Sequence, residues 1–262
     1  MSLSQPFTPP SATPLRRRLM LALLLSAGAV SAQAADITVS AAASLTNAFK
    51  EIAQAYEKEH AGDKVLLNFA ASDALVQQIG KGAPVDVFAS ADQEAMDKAD
   101  GMKLLQAGTR KNFVSNSVVL IAPLSSTLGL KSLADLQLAS VSRVTLGNPA
   151  SVPIGRYAKH ALEQAKLWAA VEPKAIYGTS VRQSLDYVAR GEVDAGFVYA
   201  TDVAVQKDKV KVVVTVPTET PVTYPIAAIA SGPQQAGGRQ FIAFVLAPAG
   251  QAILGKYGFG RP

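Results

Sequence analysis

The chain has 262 residues, of which 49% are hydrophobic, a length and composition that suit one or two globular domains with buried cores. It contains no cysteine, which excludes disulfides, thiolate metal sites, cysteine nucleophiles and the cysteine that carries a bacterial lipid anchor. The net charge of +5 includes Arg16, Arg17 and Arg18 in an N-terminal segment without acidic residues, so the rest of the chain carries only +2 and gives little support for a nucleic-acid partner.

The N-terminal segment from Met1 to Ala34 has the pattern of an export signal peptide. Arg16 to Arg18 form a basic start, the run from Leu19 to Val30 is apolar, and Ala32-Gln33-Ala34 matches the small-residue rule for cleavage. The apolar run of about 12 residues is short of the roughly 20 needed to span a bilayer. We therefore expect cleavage after Ala34, a mature chain that begins at Ala35 and has no lipid anchor, and a periplasmic location.

The mature chain alternates strand-like and helix-like segments from start to end, which predicts an α/β fold. Strands are predicted over residues 36–40, 65–69, 85–89, 118–122, 144–147, 174–177, 195–199, 210–216 and 224–230. Helices are predicted over residues 45–56, 75–79, 157–168 and 181–188 and from about residue 92. The C-terminal segment is expected to form helices broken by Pro248 and Gly250.

Two polar or proline-bearing segments between predicted strands, residues 112–117 and 220–225, are candidate crossings between two lobes. Two crossings would place residues 35–115 and 222–262 in one lobe, called lobe I here, and residues 116–221 in lobe II. Such a double connection is a hinge architecture, in which the C-terminal segment returns to the first lobe.

Four small or glycine-containing loops are expected where a strand ends and a helix begins. They are Ala42-Ala43-Ser44, Ala70-Ala71-Ser72, Val152-Pro153-Ile154-Gly155 and Gly178-Thr179-Ser180. Open α/β sheets bind ligands at such places, and helix N-termini suit anions because they present unpaired N–H groups and a partial positive charge. Each loop alone is explained by capping, and Ser180 with Gln183 fits a capping box, but four together favour an anion site.

The sequence gives little support for an enzyme. His60 and His160 have no metal-ligand partner at useful spacing, and no serine lies in a nucleophile elbow. Asp86, Asp92 and Asp194 are scattered, and we interpret them as cap, turn or lobe-contact residues. The few aromatic residues are not interleaved with basic ones, which argues against a nucleic-acid surface. We expect no catalytic residue and no cofactor.

Segments spread in order over essentially the whole mature chain resemble the periplasmic molybdate-binding proteins of ABC importers. They are AAASLT (41–46), GAPVDVFASADQ (82–93), GNP (147–149), VPIGRYAK (152–159), DAGFVYATD (194–202) and KYGF (256–259). The resemblance implies a two-lobed periplasmic binding protein of type II, with mixed sheets flanked by helices and the ligand in the cleft between the lobes.

The resemblance also implies which residues contact the oxyanion. Ser44 and Ser72 match serines that donate from hydroxyl and backbone N–H, Ile154 and Val181 match backbone donors, and Tyr199 matches a hydroxyl donor. All of these contacts would reach the oxygens of molybdate and not the metal centre. Asp73 departs from the family, which has a small neutral residue there, and we expect it to face outward.

The implied function is binding of molybdate and tungstate for delivery to an inner-membrane ABC permease by a monomer that binds no nucleic acid. One alternative is another tetrahedral oxyanion such as sulfate, because a sequence does not measure a cavity. A second is the effector-binding lobe of a non-transport protein such as a transcription regulator, which would carry a helix-turn-helix where this chain has the predicted signal peptide. An enzyme on the same fold would need catalytic residues that this sequence lacks.

Overall fold

The computed structural model describes residues 1, 2, 5 and 36–262, and the chain from Ala34 to Pro262 forms one compact unit. The basic, apolar and cleavage segments of the predicted signal peptide therefore lie outside the described residues. Within the described part, no helix is both long and apolar enough to cross a bilayer.

The first sheet, sheet I, contains five strands: β1 (Asp36–Ala42), β2 (Lys64–Ala70), β3 (Val87–Ala89), β4 (Lys111–Asn116) and β10 (Val222–Ala228). Their order is β2-β1-β3-β10-β4, with β1 parallel to β2 and β3, and β10 antiparallel to β3 and β4. The sheet is therefore mixed, as predicted.

The second sheet, sheet II, contains β5 (Val118–Pro123), β6 (Val144–Gly147), β7 (Ala175–Gly178), β8 (Ala195–Tyr199) and β9 (Val210–Val216). Their order is β7-β6-β8-β5-β9, with β6 parallel to β7 and β8, and β5 antiparallel to β8 and β9. Each sheet thus has one antiparallel strand that enters directly from the other sheet.

The chain passes between the sheets twice, at Ser117 between β4 and β5 and at residues 217–221 between β9 and β10. The candidate crossings over 112–117 and 220–225 were placed between strands, whereas most of both segments is strand. Val222 pairs with Asn116, and Thr223 with Ser115, so the polar backbone there is satisfied across β4 and β10. This long-range pairing has no signature in the local sequence.

Nine α-helices are found in the described part of the chain. They are α1 (Thr46–Glu59), α2 (Ser72–Gly80), α3 (Gln93–Gly101), α4 (Pro153–Gln164), α5 (Trp168–Val171), α6 (Val181–Ala189), α7 (Ala200–Val203), α8 (Gln235–Leu246) and α9 (Pro248–Lys256). The predicted helix over 157–168 ends earlier than expected, because Lys166 adopts a φ of 58° and Trp168 begins the separate helix α5.

The helices pack on the sheets with the apolar faces that the spacing of their hydrophobic residues predicts. Phe49, Ile52 and Tyr56 of α1 are fully buried, and the Phe241 ring of α8 lies 6.1 Å from Phe49 and 5.5 Å from Tyr56. The break between α8 and α9 falls at Ala247, and Pro248 begins α9 because its missing N–H costs nothing at a helix start.

One glycine fixes the start of α4 against the end of β6. A Cβ atom on Gly155 would lie 2.0 Å from the carbonyl oxygen of Gly147, closer than any side chain tolerates. The first turn of α4 therefore packs backbone to backbone on the end of the strand.

Candidate anion-binding site

The five residues predicted to contact an oxyanion line one cavity of about 10 Å³, the space open to the centre of a water molecule. They are Ser44, Ser72, Ile154, Val181 and Tyr199, each at most 4% exposed. The other described lining residues are alanines, Val152 and Pro153, so none of the described residues around the cavity carries a charge. This volume lies far below the roughly 300–1,000 Å³ typical of pockets for drug-sized ligands, which favours a small ion.

The cavity lies between the two sheets, at the ends of strands and the starts of helices from both. Ser44 lies in the short turn Ala43–Leu45 between β1 and α1, and Ser72 begins α2 directly after β2. On the sheet II side, Ile154 is the second residue of α4 and Val181 the first residue of α6. The positive ends of these helices therefore converge on one small volume, an arrangement that favours an anion.

Hydrogen bonds in the structure prepare both serine hydroxyls to donate. The N–H of Ala91 donates to Ser72 Oγ at 3.0 Å. Ser44 Oγ lies 3.0 Å from the hydroxyl of Tyr224, and Asn116 Nδ2 donates to that same hydroxyl at 3.3 Å. With Asn116 as donor to Tyr224, the tyrosine hydrogen is available for Ser44 Oγ, and each serine then keeps its own hydrogen for the cavity.

The hydroxyl of Tyr199 keeps its hydrogen, and its ring packs against other aromatic rings. Burial raises the pKa of Tyr199 and the pKa of Tyr224 well above the ordinary value. The Tyr199 ring makes edge contacts with Tyr157 at 6.4 Å and Tyr224 at 5.5 Å. Its hydroxyl lies 3.5 Å from the carbonyl oxygen of Ala91, longer than a good O–H···O bond, so little is lost when it turns to another acceptor.

Ile154 and Val181 lie among the first residues of their helices, whose N–H groups have no acceptor within the helix. The predicted capping box at α6 is only half formed. Ser180 Oγ accepts from the Gln183 N–H at 3.3 Å, but the Gln183 side chain accepts from the Thr179 N–H instead of that of Ser180. The side-chain cap thus serves the N–H of Gln183 and not that of Val181.

Asp73 is not exposed, and the expectation that it faces outward was wrong. It is 8% exposed, does not line the cavity, and accepts from Lys98 Nζ at 2.7 Å and from Arg156 Nη2 at 2.7 Å. A buried carboxylate requires such partners because desolvation is costly without them. One partner comes from α3 and the other from α4.

Two arginines beside the predicted backbone donors were missed by the sequence analysis. Arg156, two residues after Ile154, donates from Nε and Nη2 to Asp92 Oδ2 at 2.8 and 2.6 Å. Its Nη1 is buried and has no hydrogen-bond partner among the described residues. The available signal was the position of each arginine in the first turn of a helix predicted to bind an anion.

Arg182, the residue after Val181, connects the two sides of the cavity by different contacts. It donates from Nε to the buried Asp202 at 2.7 Å, from Nη1 to Asn47 Oδ1 at 2.8 Å and from Nη2 to the carbonyl oxygen of Ser44 at 3.3 Å. Burial raises the pKa of Asp202, and the adjacent guanidinium opposes that shift.

The two histidines lie outside the cavity lining. His60 stacks on Tyr56 with ring centroids 4.2 Å apart, and His160 pairs with Glu219. Among the residues that the structure describes, no group of three histidines, cysteines or carboxylates could hold a metal ion.

The remaining carboxylates have the structural roles predicted for them. Asp86 accepts from the N–H groups of Thr38 and Gln234 at 2.8 and 2.6 Å, and Asp92 caps α3 through the Ala95 N–H at 3.1 Å. Asp194 accepts from the backbone at residues 142 and 143, and these hydrogen bonds lower its pKa against the effect of burial.

A family model described as bacterial extracellular solute-binding protein matches residues 37–260. The chain belongs to this family. It is 36% identical over 248 residues to the molybdate-binding protein ModA of Haemophilus influenzae, covering 92% of this chain and 97% of that protein. It is 39% identical over 240 residues to ModA of Escherichia coli, covering 89% of this chain and 92% of that one.

A solved structure, the Azotobacter vinelandii periplasmic molybdate-binding protein, has a TM-score of 0.75 at 23% identity and covers 87% of this chain and all of its own. At this identity it shows the fold. The predicted two-lobed type II architecture and the resemblance to the molybdate-binding proteins are thereby confirmed. Members of the family are solute-binding proteins and not enzymes, as predicted.

Proposed function

We propose that this protein binds molybdate, and tungstate equally well, in the periplasm and delivers it to an inner-membrane ABC permease. The observation that carries the proposal is an uncharged cavity at converging helix starts, in which Ser72 Oγ accepts from a backbone N–H and Ser44 Oγ is hydrogen-bonded to the Tyr224 hydroxyl. The names of the relatives from Haemophilus influenzae and Escherichia coli support molybdate as the ligand.

The chemistry of the cavity suits molybdate because this tetrahedral dianion carries no proton at neutral pH and needs only donors. Hydrogen bonds to a charged partner contribute about 1.5–3 kcal/mol each, so five to seven of them support tight binding after the cost of association. A phosphate ion carries a proton at neutral pH and needs an acceptor as well. Sulfate is smaller than molybdate, so the same donors reach it less well.

In this proposal each of the five lining residues contacts an oxygen of the anion and none contacts the metal centre. Ser44 and Ser72 donate from their hydroxyls and backbone N–H groups, and Tyr199 donates from its hydroxyl. Ile154 and Val181 donate from the backbone alone, so their side chains serve packing. No cofactor takes part.

We also propose that lobe I comprises residues 35–115 and 222–262 and lobe II residues 116–221. The membership of the strands in sheets I and II supports these boundaries, except that Asn116 belongs to β4 of sheet I, and we place the hinge at the two crossings, Ser117 and residues 217–221. Because the cavity is lined from both sides, opening at the hinge separates the donors and releases the anion to the permease.

Calorimetry with molybdate, tungstate, sulfate and phosphate tests the ligand assignment. We expect molybdate and tungstate to bind with similar Kd and sulfate and phosphate to bind at least a hundredfold more weakly, about 2.7 kcal/mol. Sulfate binding as tight as molybdate would assign the protein to another oxyanion.

We propose that the exported protein is cleaved after Ala34, carries no lipid anchor and acts as a monomer. The absence of cysteine supports the lack of an anchor, and a cavity completed by one chain supports a monomer. The intact mass of protein from a periplasmic extract tests cleavage, and a mass that includes residues 1–34 would contradict it.

A further inference from the structure

A cluster of buried charges joins the two lobes beside the proposed anion site. Arg156 of lobe II donates to Asp73 and Asp92 of lobe I, with nitrogen to oxygen distances between 2.6 and 2.8 Å. The side chains are only 14%, 11% and 5% exposed, respectively. We call Arg156, Asp73 and Asp92 the interlobe ion cluster.

The negative charge of this cluster is partly offset from across the lobe boundary. On lobe I, Asp73 and Asp92 are joined by Glu94, whose carboxylate lies 3.3 Å from Arg156 Nε. Among the described residues of this lobe, Lys98 is the cation that contacts Asp73 and Glu94. Without Arg156 this side carries three carboxylates and one ammonium group. Arg156 brings a second cation from lobe II, which lowers the excess of negative charge from two to one.

The cluster is attached directly to the residues proposed to hold the anion. Asp73 follows Ser72 at the start of α2, and Arg156 lies two residues after Ile154 at the start of α4. Any separation of the lobes that withdraws Ile154 from the anion therefore also withdraws Arg156 from Asp73.

We propose that Arg156 is a positioning residue that neutralises Asp73 and Asp92 only when the lobes are closed, and so couples closure to retention of the dianion. The inference rests on the proposed function. In the closed protein the carboxylates face a guanidinium and the anion lies among neutral donors. On opening, Asp92 loses its guanidinium partner and Asp73, beside Ser72, keeps only Lys98, so their excess negative charge repels the dianion and favours its release.

Arg182 does not duplicate this role. Its charge is matched by Asp202 within lobe II, and its contacts with lobe I are hydrogen bonds to Asn47 and to the carbonyl oxygen of Ser44. Opening the lobes therefore leaves the ion pair of Arg182 intact, whereas it breaks those of Arg156.

The test is a calorimetric comparison of R156A, D73A, the double variant D73A/R156A and the control K159A, titrated with molybdate. Removing one partner of a buried ion pair leaves the other uncompensated, so we expect R156A to raise Kd about a hundredfold. Removing Asp73 as well eliminates much of the repulsion, so the double variant D73A/R156A should bind molybdate at least tenfold more tightly than R156A. D73A alone should change Kd by less than about tenfold, because Arg156 keeps Asp92.

Lys159 is the matched control because it lies on the same helix and pairs with Glu163 within lobe II. K159A should bind like the wild type. Binding by R156A within threefold of the wild type, or a double variant no better than R156A, would overturn the proposal. Should R156A fail to fold, R156K replaces it, because lysine keeps the positive charge but lacks the two-nitrogen geometry of the guanidinium. We expect the Kd of R156K to lie between those of the wild type and D73A/R156A.

Small-angle scattering of the ligand-free proteins separates this inference from the proposed function. R156A should have a larger radius of gyration than wild type and K159A, because closure loses its ion pairs. If the wild type binds no molybdate, the proposed function fails. Independently, a radius of gyration in R156A equal to that of the wild type overturns the proposed role of the interlobe ion cluster in closure.

Discussion

At the scale of single residues, the site depends on serine hydroxyls whose oxygens are already hydrogen-bonded within the protein. Ser72 accepts from a backbone N–H and Ser44 lies beside Tyr224, which in turn contacts Asn116. Ser72 therefore keeps its own hydrogen for the cavity, and so does Ser44 when Tyr224 donates to it. Because no carboxylate is found among the described lining residues, the same arrangement would serve a cation poorly.

Replacing the donating hydroxyls should weaken binding without unfolding the protein. We expect Ser44→Ala and Ser72→Ala each to cost about 1.5–3 kcal/mol, roughly a ten- to hundredfold rise in Kd for molybdate by calorimetry. Tyr199→Phe should cost a similar amount. Ile154→Ala keeps the backbone donor and should stay within a few fold, and if it proved worse than both serine variants the assignment of donors would be wrong.

The high pKa of the two buried tyrosines predicts how binding responds to pH. Burial raises both pKa values well above 10, so the hydroxyls keep their hydrogens through that pH and no phenolate forms to repel the dianion. We expect the Kd of molybdate to change less than threefold between about pH 7 and about pH 9.5. A tenfold loss within that range in the wild type, absent in Tyr199→Phe, would show that Tyr199 ionises there.

At the scale of elements, the site is built from the ends of helices, and this part was predictable from the sequence. The loops that end in Ser44 and Ser72, and the starts of α4 and α6, were predicted from small residues between strand-like and helix-like runs. Those signals are local, since capping and turn residues act within a few positions of each other.

The parts that were not predicted depend on contacts between distant segments. Strand β4 is polar and forms only because β10 pairs with it from more than 100 residues away. Asp73 meets Arg156 across 83 residues, and Ser44 meets Tyr224 across 180. No local pattern encodes such partners. Asp73 was therefore predicted to face outward, whereas it is buried and pairs with a distant arginine.

The close contact between α4 and β6 predicts that Gly155→Ala will disturb both stability and binding. The added methyl would lie 2.0 Å from the Gly147 oxygen, so the start of α4 must move and carry Ile154 with it. We expect a loss of about 1–3 kcal/mol in chemical unfolding and a raised Kd for molybdate.

The matched control is Gly255→Ala, in helix α9, where an added Cβ meets no atom within 4 Å. It should leave binding unchanged and raise stability slightly, because alanine restricts the unfolded chain more than glycine does. Equal effects of the two substitutions would show that the contact at Gly147 does not fix the helix.

At the scale of the whole molecule, two similar sheets exchange one strand each and enclose the cavity between them. Strand β10 returns to sheet I after sheet II is complete, and β5 enters sheet II directly from β4. Two short connections rather than one restrict the relative motion of the lobes to bending about a common line. A binding site lined from both sides then responds to that single motion.

This arrangement predicts that the ligand stabilises the closed form and with it the fold. Binding to the native state alone raises the free energy of unfolding by RT ln(1 + [L]/Kd), about 4 kcal/mol at a thousandfold excess over Kd. We expect molybdate to raise the melting temperature and to reduce the radius of gyration in solution scattering. Ser72→Ala should need about ten- to hundredfold more molybdate for the same shift, because only its Kd differs. A melting temperature that rises while the scattering profile stays constant would mean that the anion binds lobes that are already closed, and retention would then be set by the donors alone.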